Sequence, residues 1–245
     1  MIRTILAVLF VVLFLLFSYV LFFVEWLIGK KSQEKKDYSS LHIVQWAMRV
    51  VLKISGVKVT VKGEENILNE PALYVANHRS IFDVVTMYVQ CKRPTGFVSK
   101  DVVKKIPSLR VWMRYLYCIF LDRKDPRSGM KMLLQAIEHI KSGVSICIYP
   151  EGTRNKGEEL QVLPFKEGSF KIATKSGCPI VPVAISNSVQ ILEAHFPRIK
   201  KTHVILEYGT PIDPKKLTAE EQKVIGATCR GRIETMLQEN AKELY

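Results

Sequence analysis

Thr4 to Val24 is a run of 21 residues without a single charge, and no other feature restricts the fold as much. At about 1.5 Å of rise per residue, a helix of that length nearly matches the roughly 30 Å hydrocarbon core of a bilayer. The run is longer than the apolar core of about 7 to 15 residues in a cleaved signal peptide, and no small-residue cleavage site precedes Glu25. It therefore reads as a retained membrane helix. Only Arg3 and the α-amine stand before it, whereas Lys30, Lys31, Lys35 and Lys36 follow closely, so the positive-inside rule puts the rest of the chain in the cytoplasm.

With that segment set aside, 245 residues leave room for one domain with a full core. The expected division is a membrane helix at 1–28, a polar linker and amphipathic helix at 29–56, and one domain at 57–245. Lys and Arg number 36 against 23 Asp and Glu, a formal charge of +13, which favours an anionic partner. An apolar anchor makes that partner a lipid surface or a phosphorylated substrate. Nucleic acid is disfavoured, because the basic residues are dispersed and no helix-turn-helix, zinc-finger or RRM signature is present. The five cysteines, at 91, 118, 147, 178 and 229, form no C-x-x-C pair; Cys118, Cys147 and Cys178 lie in or beside apolar runs and are expected in the core.

Leu41 to Ile54 is apolar except at His42, Gln45, Arg49 and Lys53, which places one narrow, solvated stripe on a helix that packs on the core or lies in the membrane interface through Trp46. From Val57 onward, short β-branched runs alternate with helical ones, the pattern of an α/β domain with a mixed, largely parallel sheet flanked by helices. Strands are expected at 57–61, 73–76, 96–99, 118–121, 144–149, 180–185 and 203–208. Helices are expected at 81–89, 109–115, 129–141, 168–176 and 220–244. Ligands gather at the carboxyl ends of strands in such sheets, and the chemically suggestive motifs all fall there.

The first motif is Asn77-His78-Arg79-Ser80-Ile81-Phe82-Asp83, a histidine with an aspartate five positions on. With His78 in a loop and Asp83 in the first turn of a helix, the carboxylate reaches Nδ1 and leaves Nε2 to deprotonate a hydroxyl. The alternative is a loop histidine beside a helix-capping aspartate. The second is Tyr149-Pro150-Glu151-Gly152-Thr153-Arg154. Gly152 lets backbone amides approach a ligand, Arg154 grips a phosphate bidentately, and Glu151 holds Arg154 or Lys100 or accepts from a substrate hydroxyl. No serine or cysteine sits in a nucleophile-elbow context, which argues against a covalent enzyme intermediate. His139, His195 and His203 have no acidic neighbour at useful spacing, and no metal motif is present, so no metal or other cofactor is expected.

His78-x4-Asp83 followed by Glu151-Gly152-Thr153-Arg154 resembles the glycerophospholipid acyltransferase family. The resemblance covers roughly residues 70 to 190 and implies an enzyme that moves an acyl chain from a coenzyme A or acyl-carrier-protein thioester to the sn-2 hydroxyl of 1-acylglycerol 3-phosphate. It implies that residues 151–154 bind the acceptor, that Arg123 in Ile119-Phe120-Leu121-Asp122-Arg123 is a phosphate ligand, and that Lys100 lies near the same phosphate. Tyr117 stands where that family's second block has a glycine, which puts the local backbone path in question. Pro179-Ile180-Val181-Pro182-Val183 is similar to the fourth block and is expected to fix a strand edge and to line an acyl groove. A different lyso-lipid acceptor, such as a lyso-ornithine lipid or lysophosphatidylglycerol, and a non-catalytic lipid-binding protein are the competing expectations.

Overall fold

The computed structural model describes every residue except Arg123, Pro126 and Tyr245. Seven strands form one sheet: β1 (Val57–Lys62), β2 (Leu73–Ala76), β3 (Thr95–Lys100), β4 (Ile119–Leu121), β5 (Ser145–Ile148), β6 (Ile180–Ser186) and β7 (Thr202–Tyr208). The helices are α1 (Ile2–Lys31), α2 (Gln33–Ser55), α3 (Phe82–Tyr88), α4 (Pro107–Tyr115), α5 (Ser128–Lys141), α6 (Lys171–Ser176), α7 (Ala219–Lys223) and α8 (Ile225–Leu244). Strand order is β1-β7-β6-β2-β5-β3-β4. Every pairing is parallel except β6 with β7, so five parallel strands carry two reversed ones at one edge.

β2, β5 and β6 are buried at every residue, as expected for strands covered on both faces. Alternation divides their side chains between two cores. Tyr74, Ala76, Val181 and Val183 pack with residues of α2, α3 and α4, whereas Leu73, Val75, Ile180 and Ala184 pack with α5, α6 and α8. Cys118, Cys147 and Cys178 are buried, and burial pushes the Cys118 thiol up to about 11. Pro182 departs from the expected strand edge, since β6 lies between β2 and β7. The β6–β7 ladder begins one residue later, at Val183 opposite Tyr208; on that side the Pro182 carbonyl accepts from the Gly209 amide at 2.8 Å, so the proline forfeits a single donor at the end of the ladder.

The expected linker at Gly29–Asp37 is also different: α1 runs on to Lys31 and α2 begins at Gln33. Ser32 makes the corner, extended in backbone, with its side chain accepting from the Lys35 amide. α1 therefore folds back along α2. Glu25, fully buried on α1, accepts from the hydroxyls of Ser39 (2.6 Å) and Ser40 (2.7 Å). Trp112 of α4 donates its indole N–H to Ser18 at 2.7 Å and stacks on Phe14. At the other end, Thr4 donates to the Pro197 carbonyl and accepts from the Ile199 amide, both at 3.0 Å. Both ends of a helix about 45 Å long are thus tied to one body. Its outer face remains apolar and exposed, from Ile2 to Leu27.

The polar stripe of α2 is not wholly solvated. Gln45 is buried, and its amide donates to the carbonyls of Tyr88 (3.1 Å) and Cys91 (2.7 Å), while Arg49 reaches Val89. These carbonyls lie at and just beyond the end of α3, where helical partners run out. The stripe thereby fixes the helix that carries Asp83.

Candidate active site

β2 and β5 are neighbours, with Val75 opposite Ile148, so the loops that leave their carboxyl ends meet although 73 residues separate His78 from Glu151. Asn77 continues the ladder by side chain: its amide donates to the Ile185 carbonyl at 3.0 Å and its oxygen accepts from the Ile185 amide at 2.8 Å. The backbone of His78 is then gripped on both sides. Its N–H donates to Glu151 Oε1 at 2.6 Å, and its carbonyl accepts from the Asn155 amide at 2.7 Å.

His78 Nδ1 lies 2.8 Å from Asp83 Oδ2, with the aspartate side chain buried and the imidazole 19% exposed. Asp83 sits in the first turn of α3. Oδ2 also accepts from the amides of Arg79 (2.7 Å) and Ser80 (2.8 Å), and Oδ1 accepts from the Ser188 hydroxyl. A carboxylate only accepts, so Nδ1 carries the proton, and among the described residues no hydrogen bond is made to Nε2. The imidazole stacks on Tyr149, centroids 4.3 Å apart and planes 22° from parallel. Burial pushes the Tyr149 phenol well above its ordinary value, so the ring beneath His78 stays neutral.

Glu151 acts on backbone. Its second oxygen accepts from the Leu163 amide at 3.0 Å, and among the described residues no ion pair joins Glu151 to Arg154 or Lys100, two of the three roles expected of it; the third, accepting from a substrate hydroxyl, stands as a proposal. Burial raises its carboxyl above the usual range, and the N–H bonds from His78 and Leu163 pull it partly back. Gly152 turns at φ +72°, and a Cβ there would lie 2.9 Å from Lys166 Nζ; the turn needs glycine and brings that ammonium beside it. Thr153 and Arg154 are exposed on the turn. The guanidinium of Arg154 donates to Glu193 Oε1 at 3.0 Å.

Lys100 ends β3 and is exposed. It lies past the last β3–β5 pairing, Phe97 with Cys147, on the same carboxyl edge, but among the described residues no hydrogen bond or ion pair joins it to Glu151 or Arg154. Arg123 lies outside the described residues. At Tyr117 the backbone keeps the glycine-like path, φ +58°, a conformation that costs a side-chain-bearing residue about 1–2 kcal/mol. Its hydroxyl donates to Asp37 of α2 at 2.8 Å, and burial raises that phenol to about 12.

Three contributors had no distinct signal in the sequence. Arg79 donates to the carbonyls of Gly157 and Glu158, both at 2.8 Å, and pins the loop after β5. Asn155 closes that loop on itself through Gln161 and Gly157. Ser188 braces Asp83 from beyond β6.

A buried carboxylate orienting a largely buried histidine at the carboxyl edge of a parallel sheet, beside a glycine turn carrying an arginine, is equipment for taking a proton from a hydroxyl near an anionic group. It defines an α/β transferase with no elbow nucleophile. Residues 58–186 match the Acyltransferase family model, and the chain belongs to that acyltransferase family. It is 31% identical over 174 residues to the 1-acyl-sn-glycerol-3-phosphate acyltransferase of Salmonella typhimurium, across 71% of this chain and 69% of that one. With the enzyme of the same name from Saccharomyces cerevisiae it shares 28% over 204 residues, across 81% of this chain and 67% of that one. The crystal structure of the 1-acyl-sn-glycerophosphate acyltransferase PlsC from Thermotoga maritima superposes with a TM-score of 0.76 at 27% identity, covering 98% of both chains.

Proposed function

We propose that this enzyme transfers an acyl chain from an acyl thioester, of coenzyme A or acyl carrier protein, to the sn-2 hydroxyl of 1-acylglycerol 3-phosphate, forming phosphatidic acid. The observation that carries the reading is the His78–Asp83 pair, in which Asp83 takes Nδ1 and leaves Nε2 to the acceptor, on a loop held by Glu151. In the proposed step Nε2 takes the hydroxyl proton as the oxygen attacks the thioester carbonyl. The C–S bond then breaks, and the imidazolium returns the proton to the leaving thiolate, so no acyl-enzyme forms. Asp83 fixes the tautomer and stabilises the imidazolium. Arg154 binds the acceptor phosphate, with Lys100, Lys166 and the turn at Gly152 and Thr153 as further contributors; Arg123 keeps the phosphate-ligand role that the family resemblance implies.

The lipid substrate is met at a membrane surface. We propose that α1 lies in one leaflet, on the cytoplasmic side. Thr4 is bonded to the domain at one end and Glu25 to α2 at the other, with cations at both ends: Arg3 at the start, and Lys30, Lys31, Lys35 and Lys36 around the corner. A helix crossing the bilayer would have to leave one of these attachments behind. The test is to incubate purified protein with labelled coenzyme A and carrier-protein thioesters and a panel containing 1-acylglycerol 3-phosphate, a lyso-ornithine lipid and lysophosphatidylglycerol, and to identify products by mass spectrometry. Phosphatidic acid as the main product supports the reading; acylation of another acceptor in its place, or of none, overturns it.

A further inference from the structure

Glu193 lies in a short 3-10 turn, Glu193–His195, between β6 and β7, far in sequence from both motifs. Its carboxylate nevertheless joins them. Oε1 accepts from the Ile81 amide at 2.8 Å and from Arg154 at 3.0 Å, and Oε2 accepts from the Ser80 hydroxyl at 2.6 Å. Ser80 is fully buried and lies two residues after His78; its own oxygen accepts from the Phe82 amide at 3.0 Å.

We infer that Glu193 is a positioning residue for the acceptor's phosphate: it sets the Arg154 guanidinium against the loop that carries His78. The inference rests on the phosphate-binding reading of Arg154. An arginine half-exposed on a turn has many rotamers, and ordering it costs side-chain entropy. An exposed ion pair alone would not hold it, since the Coulomb gain of such pairs in water barely offsets that ordering. Glu193 is different because a backbone N–H and a buried hydroxyl of the histidine loop fix its own orientation, so the guanidinium is registered to His78. Arg154 commits one donor to this contact. The remaining N–H groups stay available to phosphate oxygens in the fork geometry that suits them. Because the pair is neutral, Glu193 contributes placement rather than attraction.

The test is a double-mutant cycle read in the acceptor KM and kcat, with Arg154→Ala, Glu193→Ala and the double variant. Arg154→Ala is expected to raise the KM for 1-acylglycerol 3-phosphate by about 10- to 100-fold, the loss of a hydrogen bond to a charged group. Glu193→Ala is expected to raise it about 5- to 10-fold in the wild-type background and not at all once Arg154 is gone, with the thioester KM unchanged in both backgrounds. A role in packing alone would give the same effect in both. Glu193→Gln, which keeps an acceptor for Ser80 or Ile81 and drops the charge, is expected to show the same dependence on Arg154 and serves if the alanine variant does not fold. If Arg154→Ala raises KM while the Glu193 effect is additive or absent, the positioning role is overturned and the phosphate reading stands. If Arg154→Ala leaves the acceptor KM unchanged, both fall.

Discussion

Replacing Glu151 by alanine removes the acceptor of two backbone N–H groups, those of His78 and Leu163, from a site only 6% exposed. An unpaired buried donor costs about 1–3 kcal/mol, and water entering the emptied space recovers part of the sum, so about 2–4 kcal/mol of stability should be lost. For a chain of this size each 1 kcal/mol moves the thermal midpoint by about 2–4 °C, which gives a fall of roughly 5–15 °C. The His78 loop loosens at the same time, and a displacement of about 1 Å lowers turnover as much as 10²-fold. The acceptor KM should barely change, because the carboxylate touches no proposed phosphate ligand. Thermal unfolding in detergent and steady-state kinetics read both quantities. Charge adds a second signature. Glu151's carboxyl is held above the ordinary glutamate range, so the folded state binds its proton more tightly than the unfolded chain does. Its stabilising contribution is full below the unfolded value and is lost as pH rises through the folded one. Compared with the non-titrating Glu151→Gln, the wild type should therefore lose relative stability as pH climbs upward from the ordinary glutamate value. A Glu151→Ala protein with an unchanged midpoint and a selective rise in acceptor KM would refute the assignment of Glu151 as a backbone clamp.

Asp83→Asn should reduce kcat by at least about 10-fold and lower the thermal midpoint, because an amide cannot accept all four bonds the carboxylate receives; equal turnover across the pH range would remove Asp83 as the orienter. Tyr117→Phe should cost about 1 kcal/mol through loss of the bond to Asp37, whereas Tyr117→Gly should cost less than Tyr117→Phe plus the lost packing, since the left-handed strain is released; the two midpoints compared by thermal unfolding decide it. Deleting residues 1–28 should lower activity on bilayer substrate more than on detergent-dispersed substrate, and should also destabilise the domain by uncovering Trp112 and Ser40. A truncated protein with wild-type stability would show that α1 is not part of the fold.

Much of the fold was legible because its signals are local. All seven strands are β-branched runs between turn residues, and each forms within a residue or two of its expected place. The corner at Ser32 was missed because Gln33 to Asp37 is uniformly polar, which reads as linker, although a serine N-cap with an acidic residue in the first turn is a helix-start pattern. The reversal of β7 and β1 depends on how chain ends pair across the sheet, which periodicity does not encode. The contact of His78 with Asp83 follows from five-residue spacing around a helix start, but the partners of Glu151 and Arg154 do not. Glu193 lies 39 residues from Arg154 in a segment with no motif, and Glu151's bonds go to backbone, which carries no residue signature.

The general-base role of His78 is tested most directly by turnover of the purified His78→Ala protein on 1-acylglycerol 3-phosphate with a labelled thioester donor, measured alongside its thermal midpoint. Loss of about 10²- to 10⁴-fold in kcat, the range of general-base catalysis, with the midpoint retained, is the predicted result. Turnover within a few-fold of wild type in a folded protein would contradict it.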